Sequence, residues 1–176
     1  MFKNVKFLLP VLLLASFVAA IPALCQTAAP ASGDSLLAAP EAAKVLPAAV
    51  FFRGQSAPVQ GRNSGGIKFA DGMFVLAALV DNSGYSTAVQ QKYQAYFITE
   101  VPITINGHAL APGAYGVGFV EGHFGVLDIG NHDLFSVDAT HDTGLKRPTP
   151  LQVVTDATPG HFRLYEGRDY VVVSRP

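Results

Sequence analysis

From Val50 to the C-terminus, apolar and polar positions alternate with period two over short stretches, and glycine-bearing turns separate these stretches. Successive side chains of a strand point to opposite faces, so the pattern is that of half-buried β-strands. It is clearest in EVPITINGHALAPGAYGVGFVEGHFGVLDIG, from Glu100 to Gly130. Three strands are predicted there: Val101 to Ile105, Ala114 to Val120, and Phe124 to Ile129. Asn106-Gly107 ends the first, because both residues tolerate the positive φ of a tight hairpin. Pro112-Gly113 leads into the second strand, and Glu121-Gly122 joins it to the third.

The register of that last hairpin follows by counting. With Glu121-Gly122 as a two-residue loop, Val120 faces His123, Phe119 faces Phe124, Gly118 faces Gly125 and Val117 faces Val126. Tyr115, Val117, Phe119, Phe124, Val126 and Asp128 then share a core face. Gly116, Gly118 and Gly125 share the other, with Leu127 and Ile129 beyond them. Glycine inside a strand forfeits packing and costs chain entropy, so three on one face imply a close approach to the backbone. Either a covering layer packs there, which makes Gly118 and Gly125 packing positions, or the face is a ligand platform. The residues proposed for a ligand are Gly116, Gly118, Gly125, Tyr115 and Asp128.

The remaining pattern supplies about nine or ten strands in all. Val50 to Arg53 is the first, and Gln55 to Gly66, with its Gly, Ser and Pro, reads as loop. Ile67 to Ala70 and Met73 to Val80 flank the hairpin signal Asp71-Gly72. MFVLAALV is apolar throughout, which predicts a central strand covered on both faces. Tyr85 to Gln91 has room for one helical turn. Lys92 to Thr99 alternates, with Tyr93, Ala95 and Phe97 on one face. Leu134 to Ala139 follows, then a loop from Thr140 to Pro150. Leu151 to Thr155 is placed at an edge by Pro148 and Pro150, which cannot donate ladder hydrogen bonds. A closing hairpin runs from His161 to Tyr165 and from Arg168 to Ser174 around Glu166-Gly167. Short strands with turn signals every 8 to 12 residues predict an all-β antiparallel sandwich, with a closed β-barrel as the alternative.

Composition divides the chain into 1–25, 26–49 and 50–176. Lys3 and Lys6, the apolar run from Phe7 to Ala20 and the Ala23-Leu24-Cys25 site have the form of a signal peptide cleaved before Gln26. Periplasmic or secreted location follows, with membrane anchoring through this segment or a lipidated Cys25 as the alternative. Pro10 and Pro22 interrupt the uncharged run from Phe7 to Leu24, which disfavours a stable membrane span. Residues 26–49 are rich in Ala and Pro, a linker in which Pro40 to Leu46 has the composition of a short helix. Such a helix must dock or fray.

The signal segment carries 2 of the 12 Lys and Arg, so 10 face 13 Asp and Glu beyond it. No basic stripe stands among them, which argues against a nucleic-acid partner. Tryptophan is absent, removing the residue best suited to stack a sugar ring.

The string ITINGHALAPGAYGV, from Ile103 to Val117, resembles a bacterial family of exported β-domains of unknown function. Their recurring element is Gly-x-x-Leu-x-x-Gly-x-Tyr between strands, matched by Gly107, Leu110, Gly113 and Tyr115. The resemblance covers roughly a fifth of the chain beyond the signal segment. It implies a sandwich and an exported location, and carries no activity.

Candidate chemistry is sparse. The five histidines are His108, His123, His132, His141 and His161, without a His-x-His or His-x-x-x-His pair. His132, Asp133, Asp138, His141 and Asp142 are the best local metal candidates, but most fall in predicted turns, so no metal and no cofactor is assigned. Ser64, Ser83, Ser86 and Ser136 lack the Gly-x-Ser-x-Gly elbow of a nucleophile. Glu100 and Asp128 are the carboxylates to examine for a hydrolase. Asp128, placed inward near Tyr115 by the counted register, is more simply a hydrogen-bond acceptor from the tyrosine hydroxyl or turn amides. No catalytic residue is assigned. The expectation is a non-enzymatic binding or structural module of the cell envelope, with an unknown protein or envelope component as partner. A small-molecule or carbohydrate binder using the glycine face is the alternative, and a hydrolase the second alternative.

Overall fold

A computed structural model describes residues 33–176. The proposed signal peptide, its cleavage site and Cys25 lie outside the described residues. In chain order the elements are β1 (Ser35–Leu37), α1 (Ala39–Val45), β2 (Ala49–Phe52), β3 (Gln55–Lys68), β4 (Phe74–Val80), α2 (Thr87–Lys92), β5 (Ala95–Thr99), β6 (Ile103–Ile105) and β7 (His108–Leu110). They continue with β8 (Gly113–Val120), β9 (His123–Leu127), β10 (Asp133–Asp138), β11 (Thr140–His141), β12 (Gln152–Thr155), β13 (His161–Glu166) and β14 (Asp169–Ser174).

The protein is an all-β antiparallel sandwich of two open sheets, not a closed barrel. One sheet runs β1-β3-β4-β5-β8-β9-β10, with β2 added on β3; the other runs β12-β13-β14-β6-β7, with β11 added on β14. Ile67, Val75, Ala77, Phe97, Val117, Phe124 and Val126 of the first sheet meet Ile103, Ile105, Phe162, Leu164, Val171 and Val173 of the second. Every one of these is buried, and the row alternates in sequence as a two-sheet core requires. Among the described residues no helix is long and apolar enough to cross a membrane.

The counted register holds without a slip: Val120 pairs with His123, Phe119 with Phe124, Gly118 with Gly125 and Val117 with Val126. Glu121 and Gly122 take φ of 50° and 80°, the two positive values of a type I′ turn. β4 is covered on both faces as its unbroken apolarity predicts. Val75 and Ala77 enter the inter-sheet core, while Leu76 and Ala78 pack beneath Ala42 and Leu46. β12 is an edge strand.

Four expectations are corrected. The Glu100–Gly130 stretch holds four strands, not three, and they divide between the two sheets. β6 pairs with β7 and β14 in the second sheet, whereas β8 and β9 belong to the first. The extra strand β7 follows the type I′ turn at Asn106-Gly107, and the chain changes sheets at Ala111-Pro112. Second, Gln55 to Gly66 is strand, not loop: β3 pairs with β2 through its first half and with β4 and β1 through its second. An irregularity between Val59 and Ser64 separates the halves. There α1 sits so close that a Cβ on Gly61 would lie 3.0 Å from Ala43 Cβ. Third, the end of the proposed linker is built into the sandwich, since β1 pairs with β3 and Ala42 of α1 is fully buried. Fourth, the closing turn is Gly167-Arg168, one residue later than read. Glu166 pairs with Asp169, and Gly167 supplies the positive φ of 60° at the first central position.

That shift places a carboxylate pair at the end of a core row. By alternation Glu166 follows Phe162 and Leu164, and its partner Asp169 precedes Val171 and Val173. Burial, with the neighbouring Asp169 charge, pushes the Glu166 carboxyl up to about 7. The folded state thus holds this proton more tightly than the unfolded chain. Its contribution is undiminished below the ordinary value of 4.5 and is lost as pH rises toward 7. Stability should therefore decline between pH 5 and 8, by at most on the order of 3 kcal/mol. Glu166→Gln should flatten the decline in urea melts taken across that range. An unchanged slope in the variant would show that the carboxyl is not held protonated.

Candidate functional site

The outer face of the first sheet is covered over one half and open over the other. α1 closes the β3–β4–β5 part with Ala42 and Leu46. An aromatic group closes the next part: Phe52 stacks on Tyr93 at 3.8 Å and 18°, and Tyr85 meets both rings edge-on at 6.1 and 5.7 Å. Tyr85 donates its hydroxyl to Phe52 O at 3.0 Å, tying this group to β2. Tyr93 does not share a face with Ala95 and Phe97. It caps α2 ahead of the start of β5, so strand alternation does not reach back to it.

β8 is the boundary, and its glycines explain why. A Cβ on Gly116 would stand 2.6 Å from Phe52 Cε2 and 2.9 Å from Tyr93 Cδ2. On Gly118 it would stand 2.5 Å from Lys92 O, the last turn of α2. Real side-chain contacts do not come this close, so the aromatic pair and the helix end rest on bare backbone. Gln94 fixes the approach further, accepting from Phe119 N at 2.7 Å and donating to Phe119 O at 3.1 Å. One strand farther on, the cover stops. A Cβ on Gly125 would meet nothing closer than Gly118 O at 3.9 Å.

The uncovered part is a groove of about 460 Å³, within the size of small-molecule sites. Its floor is the backbone of Gly125 and Ser136, paired across β9 and β10, and Gly118 borders it beneath the end of α2. Leu127 and Leu134 form one end, and Val120, Glu121 and His123 the other. Lys92 donates to both carboxylate oxygens of Asp133, at 2.9 and 2.7 Å. Its backbone lies over β8 and Asp133 begins β10, so the side chain crosses β9 at the level of Leu127, the register partner of Asp133. His123 Nδ1 lies 3.1 Å from Asp138 Oδ1 at the opposite end.

Of the five residues proposed for a ligand, Gly118 and Gly125 line the groove and Gly116 lies under the aromatic pair. Tyr115 packs on the inter-sheet core, and its hydroxyl donates to Ala111 O at 2.8 Å. Its ring covers Gly113, where a Cβ would lie 2.9 Å from the hydroxyl oxygen. Asp128 does not face Tyr115, because β9 ends at Leu127. Its Oδ1 accepts from the amides of Gly130 and His132 at 2.8 and 2.9 Å, and Oδ2 lies 2.8 Å from His132 Nδ1. The turn amide and imidazole of His132 hold this carboxyl below its ordinary range. Among the groove residues missed in the sequence are Lys92, Ser136 and Leu134. Their convergence depends on β10 joining β9 and on α2 seating on β8, neither of which leaves a local pattern.

The metal candidates stand apart. His132 bonds Asp128, Asp133 bonds Lys92, His141 Nδ1 lies 2.6 Å from Asp169 Oδ1, and Asp142 accepts from the Tyr165 hydroxyl at 2.8 Å. Among the described residues no three His, Cys, Asp or Glu side chains converge as a metal-ligand set. Glu100 accepts from Phe74 N at 2.8 Å. Ser64 is buried and donates to Gly61 O at 2.6 Å, while Ser83 and Ser86 lie at the entrance to α2.

The expectation that both glycines are packing positions thus holds for Gly118 alone. Gly118→Val should cost about 1 to 3 kcal/mol, because the obstructing atom is helix backbone that cannot turn aside. Gly125→Val should leave thermal stability unchanged or slightly raised, since a β-branched residue replaces glycine in open space. Equal losses in melts of the two variants would mean that the groove is covered. Comparison of the chain with protein-family models, curated proteins and solved structures finds no match.

Proposed function

We propose that this chain is an exported, non-enzymatic binding module of the cell envelope whose ligand face is the groove floored by Gly125 and Ser136 and bordered by Gly118. The observation that carries the reading is the difference between two glycines on one face. Gly118 is bare because α2 rests on it, whereas Gly125 is bare with nothing resting on it. A glycine in a strand interior sacrifices packing, and a ligand lying on the backbone gives that sacrifice a use. Walls of Leu127, Leu134 and Val120 with a few polar groups at the rim match the usual make-up of a small-molecule site. The non-enzymatic reading is supported by the rim groups: Lys92 and Asp133 engage each other, as do His123 and Asp138, with no nucleophile held against a base.

Export rests on the basic start, apolar run and Ala23-Leu24-Cys25 site. Intact-mass measurement on the envelope fraction should give a chain beginning at Gln26, and a mass retaining Cys25 would overturn cleavage there. For the groove, an NMR screen of single-ring fragments should shift the amides of Gly118, Gly125 and Ser136 as a group. Gly125→Val should abolish those shifts while the fold persists. Hits scattered over the surface, or hits indifferent to Gly125→Val, would reject the groove as the ligand face.

A further inference from the structure

We infer that the groove selects a flat apolar ring carrying an ammonium group on a short arm, an arylalkylamine in chemical class, over carboxylates and sugars. This rests on the groove being the ligand face and goes on to its chemistry. The open floor spans Gly125 and Ser136, one strand spacing of about 5 Å, and stops at Gly118, which the Lys92 carbonyl covers. No side chain larger than a hydroxymethyl rises from it, since Gly125 and Ser136 are cross-strand neighbours. One ring fits flat on such a surface.

The two ends differ in polarity. Leu127 is fully buried and belongs to the same apolar cluster as Phe52 and Tyr93, and half-exposed Leu134 stands beside it. The Lys92 stem crosses at this level with its charge neutralised by Asp133, so it offers methylenes more than a free cation. At the other end, Glu121 has no salt-bridge partner among the described residues, and Asp138 faces only His123. His123 lies two residues from Gly125, about 7 Å along the strand. That distance separates a ring on the floor from a charged group among the carboxylates. With Lys92 and Asp133 cancelling at the leucine end, Glu121 leaves the groove with a negative formal charge. It attracts an ammonium and repels a carboxylate. A sugar presents hydroxyls all round its ring and would leave those over Leu134 without partners.

The test is an amide-shift titration of the 15N-labelled chain at pH 7 with 2-phenylethylamine, phenylacetate and methyl glucoside. The amine should shift Gly118, Gly125 and Ser136 saturably in the millimolar range. Phenylacetate should bind about tenfold more weakly or not at all, and the glucoside should leave these amides in place. Glu121→Gln combined with Asp138→Asn should bring amine and phenylacetate to within about threefold of each other, because the ring contacts remain and only the charge is removed. Phenylacetate or glucoside matching the amine at these amides overturns the class while leaving the groove as a binding face. Failure of the amine to shift them also overturns the inference. The single-ring fragment screen then decides separately whether the groove reading falls with it.

Discussion

The outer half of this sandwich depends on contact between side chains and bare strand backbone at β8. Phe52 and Tyr93 lie on Gly116, and the end of α2 lies on Gly118, at separations that admit no Cβ. Stacked rings seal the middle of the sheet, and Gln94 bonds both backbone groups of Phe119 to hold the helix end in place. Lys92 then projects over β9 toward Asp133. A larger residue at either glycine would lift the helix end or the aromatic pair, and the groove would lose a wall.

The same strand serves the other face by ordinary alternation. Val117 enters the inter-sheet core, Phe119 packs against that core edge-on to Phe124 at 4.8 Å, and Tyr115 covers Gly113. β8 is therefore large on its inner face and nearly empty on its outer face. Since each face has its own partners, inner residues answer for stability and the outer ones for what may approach. Binding at such a face need not disturb the core, because ligand and core contact opposite sides of one backbone. The edge strand β10 adds Ser136 to the floor, while its bulge near Leu134 and terminal aspartates blunt its free edge against pairing with another chain.

Polar groups around the sandwich are mostly engaged in local structure. Asp71, Asp81, Asp128, Asp142 and Asp156 accept hydrogen bonds from nearby amides or side chains and are held below the ordinary carboxylate range. Each stiffens a turn or tethers a loop. Glu166 behaves oppositely, since alternation carries it to the end of a core row opposite another carboxylate. The direction of each shift follows from position: a turn offers donors, whereas the end of a core row removes water.

Much of the fold is legible along the chain because strand alternation and two-residue turns act between neighbours. The Gly118–Gly125 pairing, the two-faced burial of β4 and the edge position of β12 all follow from period, turn chemistry and proline. What spacing does not carry is which strands meet across the molecule. β3 contains GRNSGG and reads as loop, yet β2, β1 and β4 supply its partners from elsewhere in the chain. Asp128 loses its inward place because β9 stops one residue before it, a choice made by the turn that Asp128 itself caps. Gly118 and Gly125 are indistinguishable as letters. Only the packing of α2 separates them, because a strand determines which side its glycines face, while cover on that side comes from residues distant in sequence.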